Sequence, residues 1–301
     1  MQPQRSALHG VLLIDKPAGI TSAEAVRRIK RHLGRRTRVG HLGTLDPFAT
    51  GLLPILIGEA TKLAPFLQEG EKEYTGLIRL GAETDTLDPT GTIVHRAPVP
   101  ALEADRLNEL ALSFTGAIEQ VPPLYSALKR DGVRLYELAR RGEGVPPPAA
   151  RRVEIRLLEL EPAGADSIRF RVRCSTGTYI RSLARDLGRA LGSAAHLMEL
   201  RRTRNGHFEV GAATALDELV GALERGDQLP LIALRDALAG MQEVEVTPTV
   251  AARVRDGDPS LLAGRIPAAG GLFKVVSGGS LVAVARATTR ATATLVRGFA
   301  A

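Results

Sequence analysis

Residues 38–51, Arg-Val-Gly-His-Leu-Gly-Thr-Leu-Asp-Pro-Phe-Ala-Thr-Gly, constrain the fold of this chain more than any other segment. Three glycines give the backbone unusual freedom, and the Asp46-Pro47 pair ends any helix because proline drives the preceding residue towards extended angles. The segment therefore predicts a shaped loop that holds one carboxylate, Asp46, near His41. Loops of this kind on a rigid scaffold often carry chemistry. The alternative is a simple turn in which Asp46 caps its own backbone.

The charge of the chain favours a polyanionic partner. It has 40 Lys and Arg against 33 Asp and Glu, a formal net charge of +7. Seven cations and no acid lie between Arg27 and Arg38, around a predicted helix that begins at the capping-box pair Thr21 and Glu24. We interpret these cations as an electrostatic footprint for nucleic acid. A solvated helix face is the alternative.

Cysteine usage and hydropathy exclude several classes of protein. The single cysteine, Cys174, excludes a disulfide framework and a cysteine-rich zinc site. Its place in the alternating segment 167–174 favours a buried thiol on the apolar face of a strand. No apolar run approaches the ~20 residues of a membrane span. The first residues lack the apolar core of a signal peptide, so we predict a cytoplasmic protein without membrane contact.

Hydrophobic patterning predicts a large α+β domain over residues 1–240 and a small β-rich domain over residues 244–301. In the first domain, strands are predicted at 11–14, 52–57, 72–80, 151–160, 167–174 and 200–208, and helices at 21–33, 59–67, 102–114 and 178–188. In the second, a short helix at 249–255 precedes three strands. Residues 121–152 are bounded by prolines and contain cations and tyrosines. They predict a projecting arm that grips RNA.

Several common catalytic motifs are absent from the sequence. It has no P-loop, no dinucleotide-binding Gly-x-Gly-x-x-Gly, no His-Glu-x-x-His zinc motif and no Gly-x-Ser-x-Gly elbow. What remains is a basic chain with one loop-held aspartate, a nearby histidine, an early-strand tyrosine and helical arginines. A single carboxylate can act by covalent attack, and a neighbouring arginine would keep it ionised. The residues alone therefore predict either an RNA-binding enzyme or a non-catalytic RNA-binding module, and they do not identify the reaction.

Residues 40–51, Gly-His-Leu-Gly-Thr-Leu-Asp-Pro-Phe-Ala-Thr-Gly, resemble the catalytic signature of the TruB-type pseudouridine synthase family. Further segments match the family in order: 10–17, 72–74, 84–86, 125–129 and 177–188. The resemblance therefore spans nearly all of residues 10–208. The tail is similar, more weakly, to the small PUA-type RNA-binding domain of this family. One departure is the run Asn-Gly-His-Phe at 205–208, where hydrophobic residues or proline are common in the family.

The resemblance implies a pseudouridine synthase fold with a central mixed, mostly antiparallel sheet, followed by a PUA-like domain. It also implies isomerisation of uridine 55 in the T-loop of tRNA, with the base flipped out of its stack and with no cofactor or metal. We expect a monomer that binds the T-arm of tRNA. The related class that modifies ribosomal RNA under guide RNAs is an alternative, but the length of the chain and the lack of a long basic tail favour a stand-alone enzyme.

By resemblance, Asp46 is the catalytic carboxylate. The sequence does not distinguish attack on the base, attack on the sugar and a glycal route. Arg181 is expected to pair with Asp46 and keep it ionised, and Tyr74 to stack on the flipped uracil. His41 is expected to support the space that the base leaves. The other members of the predicted substrate-binding set are Lys16, which shapes the cleft floor, Tyr179 and Leu200.

Overall fold

The computed structural model describes residues 8–126, 129–130, 133–135, 146–267, 271–289 and 291–300. A large part of the predicted RNA-gripping arm, residues 121–152, lies outside these ranges. The described helices are α1 (Ser22–Lys30), α2 (Ala64–Leu67), α3 (Ala104–Ser113), α4 (Ile180–Ala190), α5 (Leu216–Arg225) and α6 (Pro248–Arg255).

The described strands follow in chain order. They are β1 (Gly10–Lys16), β2 (Val39–His41), β3 (Thr50–Ile57), β4 (Lys72–Leu80), β5 (Ala82–Thr84), β6 (Ile93–Arg96), β7 (Gly116–Gln120), β8 (Lys129–Arg130), β9 (Val133–Arg134), β10 (Arg151–Pro162), β11 (Ser167–Cys174), β12 (Ala195–Asn205), β13 (Phe208–Glu209), β14 (Thr214–Ala215), β15 (Gln242–Glu245), β16 (Leu272–Ser277), β17 (Ser280–Ala287) and β18 (Ala293–Gly298).

A ten-stranded sheet dominates the described part of the chain. Its order is β14-β1-β3-β12-β4-β11-β10-β7, with β2 beside β3 and β13 beside β12. The pairs β1–β14 and β3–β12 are parallel, and the other pairs are antiparallel. The predicted mixed, mostly antiparallel sheet is therefore confirmed.

Apolar alternation along the strands buries one face of this sheet under helices. Ile29 of α1, Leu107 of α3, Leu187 of α4 and Leu219 of α5 belong to one apolar cluster with the inward residues of β4 and β11. Cys174 lies on this face and is buried, as predicted, and burial raises the pKa of its thiol to about 11. A nucleophilic role for this cysteine is therefore disfavoured.

The basic strand predicted at 200–208 is longer than expected and is divided. β12 begins at Ala195, and the chain turns at 206–207 into β13. Register shifts between Leu197 and Glu199 and between Arg202 and Arg204 interrupt the alternation of buried and exposed residues. These β-bulges explain why a strict period of two does not extend through the whole strand.

The C-terminal residues form the predicted β-rich domain, a four-stranded sheet in the order β15-β16-β17-β18. β15 was not predicted, because its sequence Gln-Glu-Val-Glu has a single apolar residue. This strand also crosses the predicted boundary between the two domains, at residues 240–244. Leu281, Val284 and Phe299 of this region pack with Val11 and Leu56 on the outer face of β1 and β3. The two sheets are thus joined by an apolar interface.

Candidate active site

The predicted loop connects β2 to β3, and its backbone is fixed on both sides of the aspartate. The Leu45 N–H donates to the Ser22 hydroxyl at 2.8 Å, and that hydroxyl donates to the Leu45 carbonyl at 3.1 Å. The Gly19 N–H donates to the Pro47 carbonyl at 2.8 Å. Asp46 therefore lies between two residues whose positions are set by the region around α1.

A close approach of two strands supports the end of the loop. Gly51 has a φ of +100° and pairs with Arg202 of β12. A Cβ on Gly51 would lie 2.3 Å from the Arg202 carbonyl oxygen. Only glycine fits this conformation and this separation without moving β3 away from β12.

The carboxylate of Asp46 binds the guanidinium of Arg181, which lies in the first turn of α4. Arg181 Nη2 donates to Oδ1 at 3.1 Å, and Nε lies 2.9 Å from Oδ2. The Asp46 side chain is 32% exposed whereas that of Arg181 is 6% exposed. The carboxylate is thus open to a substrate while its cationic partner is buried, and its oxygens do not cap the turn that carries it.

A strained turn holds Arg181 from the opposite side. The turn between β5 and β6 places Leu87 at a φ of +61°, a conformation that non-glycine residues seldom adopt. The neighbouring Thr86 carbonyl accepts from Arg181 Nη1 at 2.9 Å, and the buried Asp88 Oδ2 lies 3.5 Å from the same nitrogen. The Tyr125 carbonyl accepts from Nη2 at 3.0 Å. Arg181 therefore lies between two carboxylates and two carbonyls.

Opposing effects set the protonation of Asp46. Burial raises the pKa of its carboxyl above the ordinary value, Arg181 lowers it, and Asp88 raises it further. The net direction is upwards. Arg181 does favour the ionised form, as predicted from the sequence, but it does not fully cancel the cost of burial.

Tyr74 is buried on the inner face of β4, opposite Arg202 in the sheet register. Burial raises the pKa of the Tyr74 hydroxyl, and the positive charge of the neighbouring Arg202 opposes that rise. Tyr74 is therefore a phenol in the resting protein. Its ring packs in the same apolar cluster as Leu45 and Leu200, so two of the predicted substrate-binding residues lie beside the loop.

Lys16 ends β1 with its side chain fully buried. Its ammonium donates to the carbonyls of Pro17 at 2.8 Å and Ile20 at 2.9 Å, and to that of Pro47 at 3.4 Å. Burial lowers the pKa of Lys16 to about 8, and Asp46 acts in the opposite direction. The structure thus places Lys16 beneath the loop that carries Asp46, where it ties β1 to that loop.

The remaining predicted residues lie on the elements around this loop. His41, at the end of β2, is half-buried, and burial followed by the charge of Arg202 lowers the pKa of its imidazole. Tyr179 precedes α4, and its backbone forms two hydrogen bonds with the buried Gln120 side chain, at 2.8 and 3.1 Å. The Tyr179 ring lies 4.5 Å from the guanidinium carbon of Arg151.

The cationic segment from 27 to 38 is largely exposed. Three of its cations have acidic partners: Arg27 with Glu24, Arg28 with Asp217 and Arg38 with Glu59. Lys30, Arg31, Arg35 and Arg36 are exposed and form no ion pair within the described ranges. These four cations remain available to bind phosphate.

Sequence reasoning missed Asp88 and Arg202. Asp88 lies in a turn directly after the matched segment 84–86, and no functional role was assigned to it. Arg202 was assigned only to the strand predicted at 200–208, whereas the structure shows that it is 1% exposed. The signal was available, because Arg202 lies two residues after the apolar Leu200 and so shares its inward face.

The site combines an accessible carboxylate, a buried arginine clamp, a buried aromatic ring and a cationic approach. No group of three or more His, Cys, Asp or Glu capable of holding a metal ion occurs in the described residues. None of the described helices is long and apolar enough to cross a membrane. The geometry suits chemistry carried out by protein side chains on a polyanionic substrate.

Known proteins are similar to this chain in sequence and in fold. Residues 30–180 match the family model for the N-terminal domain of TruB family pseudouridylate synthases, and residues 181–244 match that for the C-terminal domain of tRNA pseudouridylate synthase B. A protein of Aromatoleum aromaticum named tRNA pseudouridine synthase B is 51% identical over 79% of this chain and 76% of its own. One of the same name from Geotalea uraniireducens is 41% identical over 93% and 92%.

Solved structures agree with these sequence relationships. The chain is similar to a protein in an H/ACA RNP bound to a substrate RNA containing 2'-deoxyuridine, with a TM-score of 0.73 and 26% identity over 97% of this chain and 86% of that one. It is also similar to a chain of a Cbf5-Nop10-Gar1 complex, with a TM-score of 0.72 and 29% identity over 97% and 84%. This chain belongs to the TruB family of pseudouridylate synthases.

Proposed function

We propose that this chain isomerises uridine 55 in the T-loop of tRNA to pseudouridine, with Asp46 as the catalytic carboxylate and without a cofactor. The observation that carries the proposal is the partly exposed Asp46 carboxylate clamped by the buried Arg181. The name shared by the curated relatives, tRNA pseudouridine synthase B, supports tRNA as the substrate. The net charge of +7 supports a polyanionic partner.

The reaction sets demands that this site can meet. The C1′–N1 bond must break while the uracil stays bound, and the base must then rotate and rejoin the sugar through C5. The uridine must first leave its stack, which costs roughly a few kcal/mol. Asp46 acts on the reacting nucleotide, and a single carboxylate suits attack on the base, attack on the sugar and a glycal route alike.

The other residues of the site bind and retain the base. Tyr74 offers a π-surface that replaces the lost stacking, an interaction worth roughly 1–3 kcal/mol per base. His41 is expected to support the space that the base leaves. The rest of the proposed substrate-binding set is Lys16, Tyr179, Arg181 and Leu200. The enzyme acts as a monomer on the T-arm, and the C-terminal domain, which is PUA-like in this proposal, adds RNA contacts.

Two alternatives are distinguished by one assay. A non-catalytic RNA-binding protein would bind tRNA without changing it. A guide-dependent enzyme, suggested by the relative in the H/ACA RNP, would require a guide RNA. We expect the purified chain to form pseudouridine at position 55 of an unmodified tRNA transcript with no guide RNA and no added cofactor.

The first prediction is that Asp46→Asn abolishes pseudouridine formation but leaves the dissociation constant for tRNA within about tenfold, or ~1.4 kcal/mol. The reason is that the carboxylate acts on the reacting nucleotide, whereas affinity is spread over many phosphate contacts. Pseudouridine is measured by mass spectrometry and binding by filter retention. Asp166→Asn, which removes an ion-pair partner of Arg79 far along the sheet, is the control and should keep full activity.

Retained turnover in Asp46→Asn, with deamidation excluded by mass spectrometry, would remove the catalytic assignment. Absence of pseudouridine with the wild-type chain, despite tight tRNA binding, would instead favour the non-catalytic alternative.

A further inference from the structure

Arg202 is a buried cation without an acidic partner. Its side chain is the largest of the fully buried side chains among the described residues. Its Nε donates to the Leu52 carbonyl at 2.8 Å and its Nη2 to the Gly43 carbonyl at 3.0 Å. Within the described ranges it forms no ion pair, and the one ionisable group that favours its charge is the Tyr74 hydroxyl. Burying an uncompensated charge is costly, so its place calls for an explanation.

The surroundings of Arg202 make its charge more costly still. Lys16, His41 and Lys72 are all close enough for the Arg202 charge to lower the pKa of each. A buried guanidinium among three basic side chains would gain most from a nearby anion. No such anion is paired with it in the described ranges, and the neutral phenol of its cross-strand partner Tyr74 offers only the negative end of a dipole.

Arg202 and Tyr74 are also direct cross-strand partners in the register of β12 and β4. A guanidinium has donors and no acceptor, so it favours the orientation in which the Tyr74 oxygen turns its lone pairs towards Arg202 and its proton away. The same guanidinium holds Gly43, three residues before Asp46, through its carbonyl. One side chain thus connects the predicted stacking residue to the loop that carries the proposed catalytic carboxylate.

We propose that Arg202 is a positioning residue for pseudouridine formation, which orients the Tyr74 hydroxyl and fixes it relative to the Asp46 loop. This inference rests on the proposed function and deepens it. Arg202 acts through the Tyr74 oxygen and the Gly43 carbonyl and does not touch the base. The other charged or titratable groups that face Tyr74 are Cys174 from β11 and Asp46 from the loop.

The competing explanation is that Arg202 only joins β12 to β3. A purely structural link would lower stability, but its effect on the reaction would not depend on the Tyr74 hydroxyl. The two explanations therefore differ in a double-mutant cycle between Arg202 and Tyr74. They also differ in the acidity of Tyr74, which a structural link leaves unchanged.

The first arm of the experiment needs no substrate. The chain has four tyrosines and no tryptophan, so tyrosinate formation can be followed by near-ultraviolet absorbance, and subtraction of the Tyr74→Phe curve isolates Tyr74. We expect Arg202→Met, which removes the charge but keeps an apolar side chain, to raise the pKa of Tyr74 above its wild-type value. Arg202→Lys keeps a positive charge and should give a smaller rise. An unchanged titration in both variants would overturn the proposal.

The second arm measures single-turnover pseudouridine formation at saturating enzyme. Arg202→Met should slow the wild-type rate about 10- to 100-fold, the range expected when a charged partner of a polar group is lost, with little change in the tRNA dissociation constant. In the Tyr74→Phe background the same substitution should have a much smaller effect. Effects that multiply in the double variant, or an unchanged rate in Arg202→Met, would overturn the proposal.

Two comparisons keep the outcome interpretable. Arg201→Met, at the adjacent half-exposed arginine that pairs with Asp15, should leave both the rate and the Tyr74 titration unchanged. If Arg202→Met does not fold, as judged by circular dichroism, Arg202→Lys replaces it in both the Tyr74 titration and the single-turnover measurement. If the wild-type chain forms no pseudouridine, the proposed function fails, while the titration still tests the Tyr74–Arg202 coupling.

Discussion

At the scale of single residues, the site depends on charges that the protein buries at a cost. Asp46 and Arg181 form an ion pair in which the carboxylate is partly exposed and the guanidinium is buried. Burial still raises the pKa of the Asp46 carboxyl above its ordinary value. Lys16 and Arg202 are buried without any ion pair in the described ranges and rely largely on backbone carbonyls. Such groups give little net stability. Their contribution is to fix the loop on which Asp46 lies.

The pKa of Lys16 gives a prediction about the pH dependence of stability. Burial lowers this pKa from 10.5 to about 8 in the folded state. Between these values the unfolded chain binds more protons than the folded chain, so raising the pH favours folding. Below about 8 both states bind the proton and the contribution of Lys16 is constant. The free energy of unfolding of the wild type should therefore rise across this window relative to that of Lys16→Met.

Urea unfolding at stepped pH measures this difference. The Lys16→Met variant keeps an unbranched side chain of similar length and lacks the titrating group. Parallel stability curves for the two proteins across the window would show that Lys16 titrates alike in the folded and unfolded states.

At the scale of elements, the turn between β5 and β6 supports the Asp46–Arg181 ion pair from behind. Asp88 accepts from the Thr86 hydroxyl at 2.7 Å and from the Thr90 N–H at 3.0 Å, which fixes the turn. The Leu197 N–H donates to the Leu87 carbonyl at 3.1 Å and fastens the turn to β12. The strained φ of Leu87 is thus held by contacts on both sides, and it delivers the Thr86 carbonyl to Arg181.

This turn predicts the effect of Asp88→Asn. The substitution keeps the size of the side chain but removes the charge that lies 3.5 Å from Arg181 and raises the pKa of Asp46. We expect kcat to fall about tenfold, because the loss of a charged partner of Arg181 should raise the activation free energy by ~1.4 kcal/mol or more. The acid limb of the pH–rate profile should move to lower pH, because Asp46 loses a like charge nearby. Steady-state kinetics across pH measures both effects.

Asp85→Asn is the control within the same hairpin, since Asp85 accepts from the Thr92 N–H and forms no ion pair with Arg181. It should leave the acid limb in place. A shift of the limb to higher pH in Asp88→Asn would contradict the electrostatic reading of this turn.

The sequence predicted local features better than long-range contacts. Alternation and capping residues predicted the buried strand of Cys174 and the N-cap of α1, where the Thr21 hydroxyl accepts from the Glu24 N–H at 3.0 Å. The resemblance to the family predicted the pairing of Asp46 with Arg181, which are 135 residues apart. Asp88 and Arg202 were missed because a charged residue is normally exposed, and only the packed structure shows that these two are buried.

The exposed cations after α1 give a second prediction at this scale. Arg31, Arg35 and Arg36 are exposed and form no ion pair in the described ranges. Replacing all three by glutamine should weaken tRNA binding and flatten the slope of log K against log salt by about 0.7 for each lost contact to single-stranded phosphate. Fluorescence anisotropy over a salt series measures the slope.

The matched control removes the same charge from three ion-paired surface positions: Arg79, Arg156 and Arg225. Its slope should stay near the wild-type value. Equal slopes for the two triple variants would mean that the segment after α1 is only a solvated surface.

At the scale of the whole molecule, the outer face of β1 and β3 connects the active-site loop to the C-terminal sheet. β1 ends in Lys16 beneath the loop and β3 begins at the end of that loop, while their outer residues pack against Leu281 and Val284. The chain end is also fastened, because the Ala300 N–H donates to Glu59 at 3.1 Å. If the C-terminal sheet binds RNA, as proposed, this attachment would hold the bound tRNA at a constant distance from Asp46.

This attachment predicts the effect of Phe299→Ala. The Phe299 ring is 2% exposed in the interface, and the Lys62 ammonium lies 5.8 Å from its centroid. Truncating a buried phenylalanine costs about 3–5 kcal/mol through lost burial and the cavity left behind. We therefore expect a lower free energy of unfolding in urea, and weaker tRNA binding with a nearly unchanged single-turnover rate at saturation, because Asp46 is untouched.

Val296→Ala, at an exposed position of β18, is the control and should change stability by less than about 0.5 kcal/mol. If the two variants lose equal stability, Phe299 does not anchor the C-terminal sheet. If Phe299→Ala lowers the saturated rate as strongly as the affinity, the interface supports the catalytic loop itself and not only the placement of the RNA.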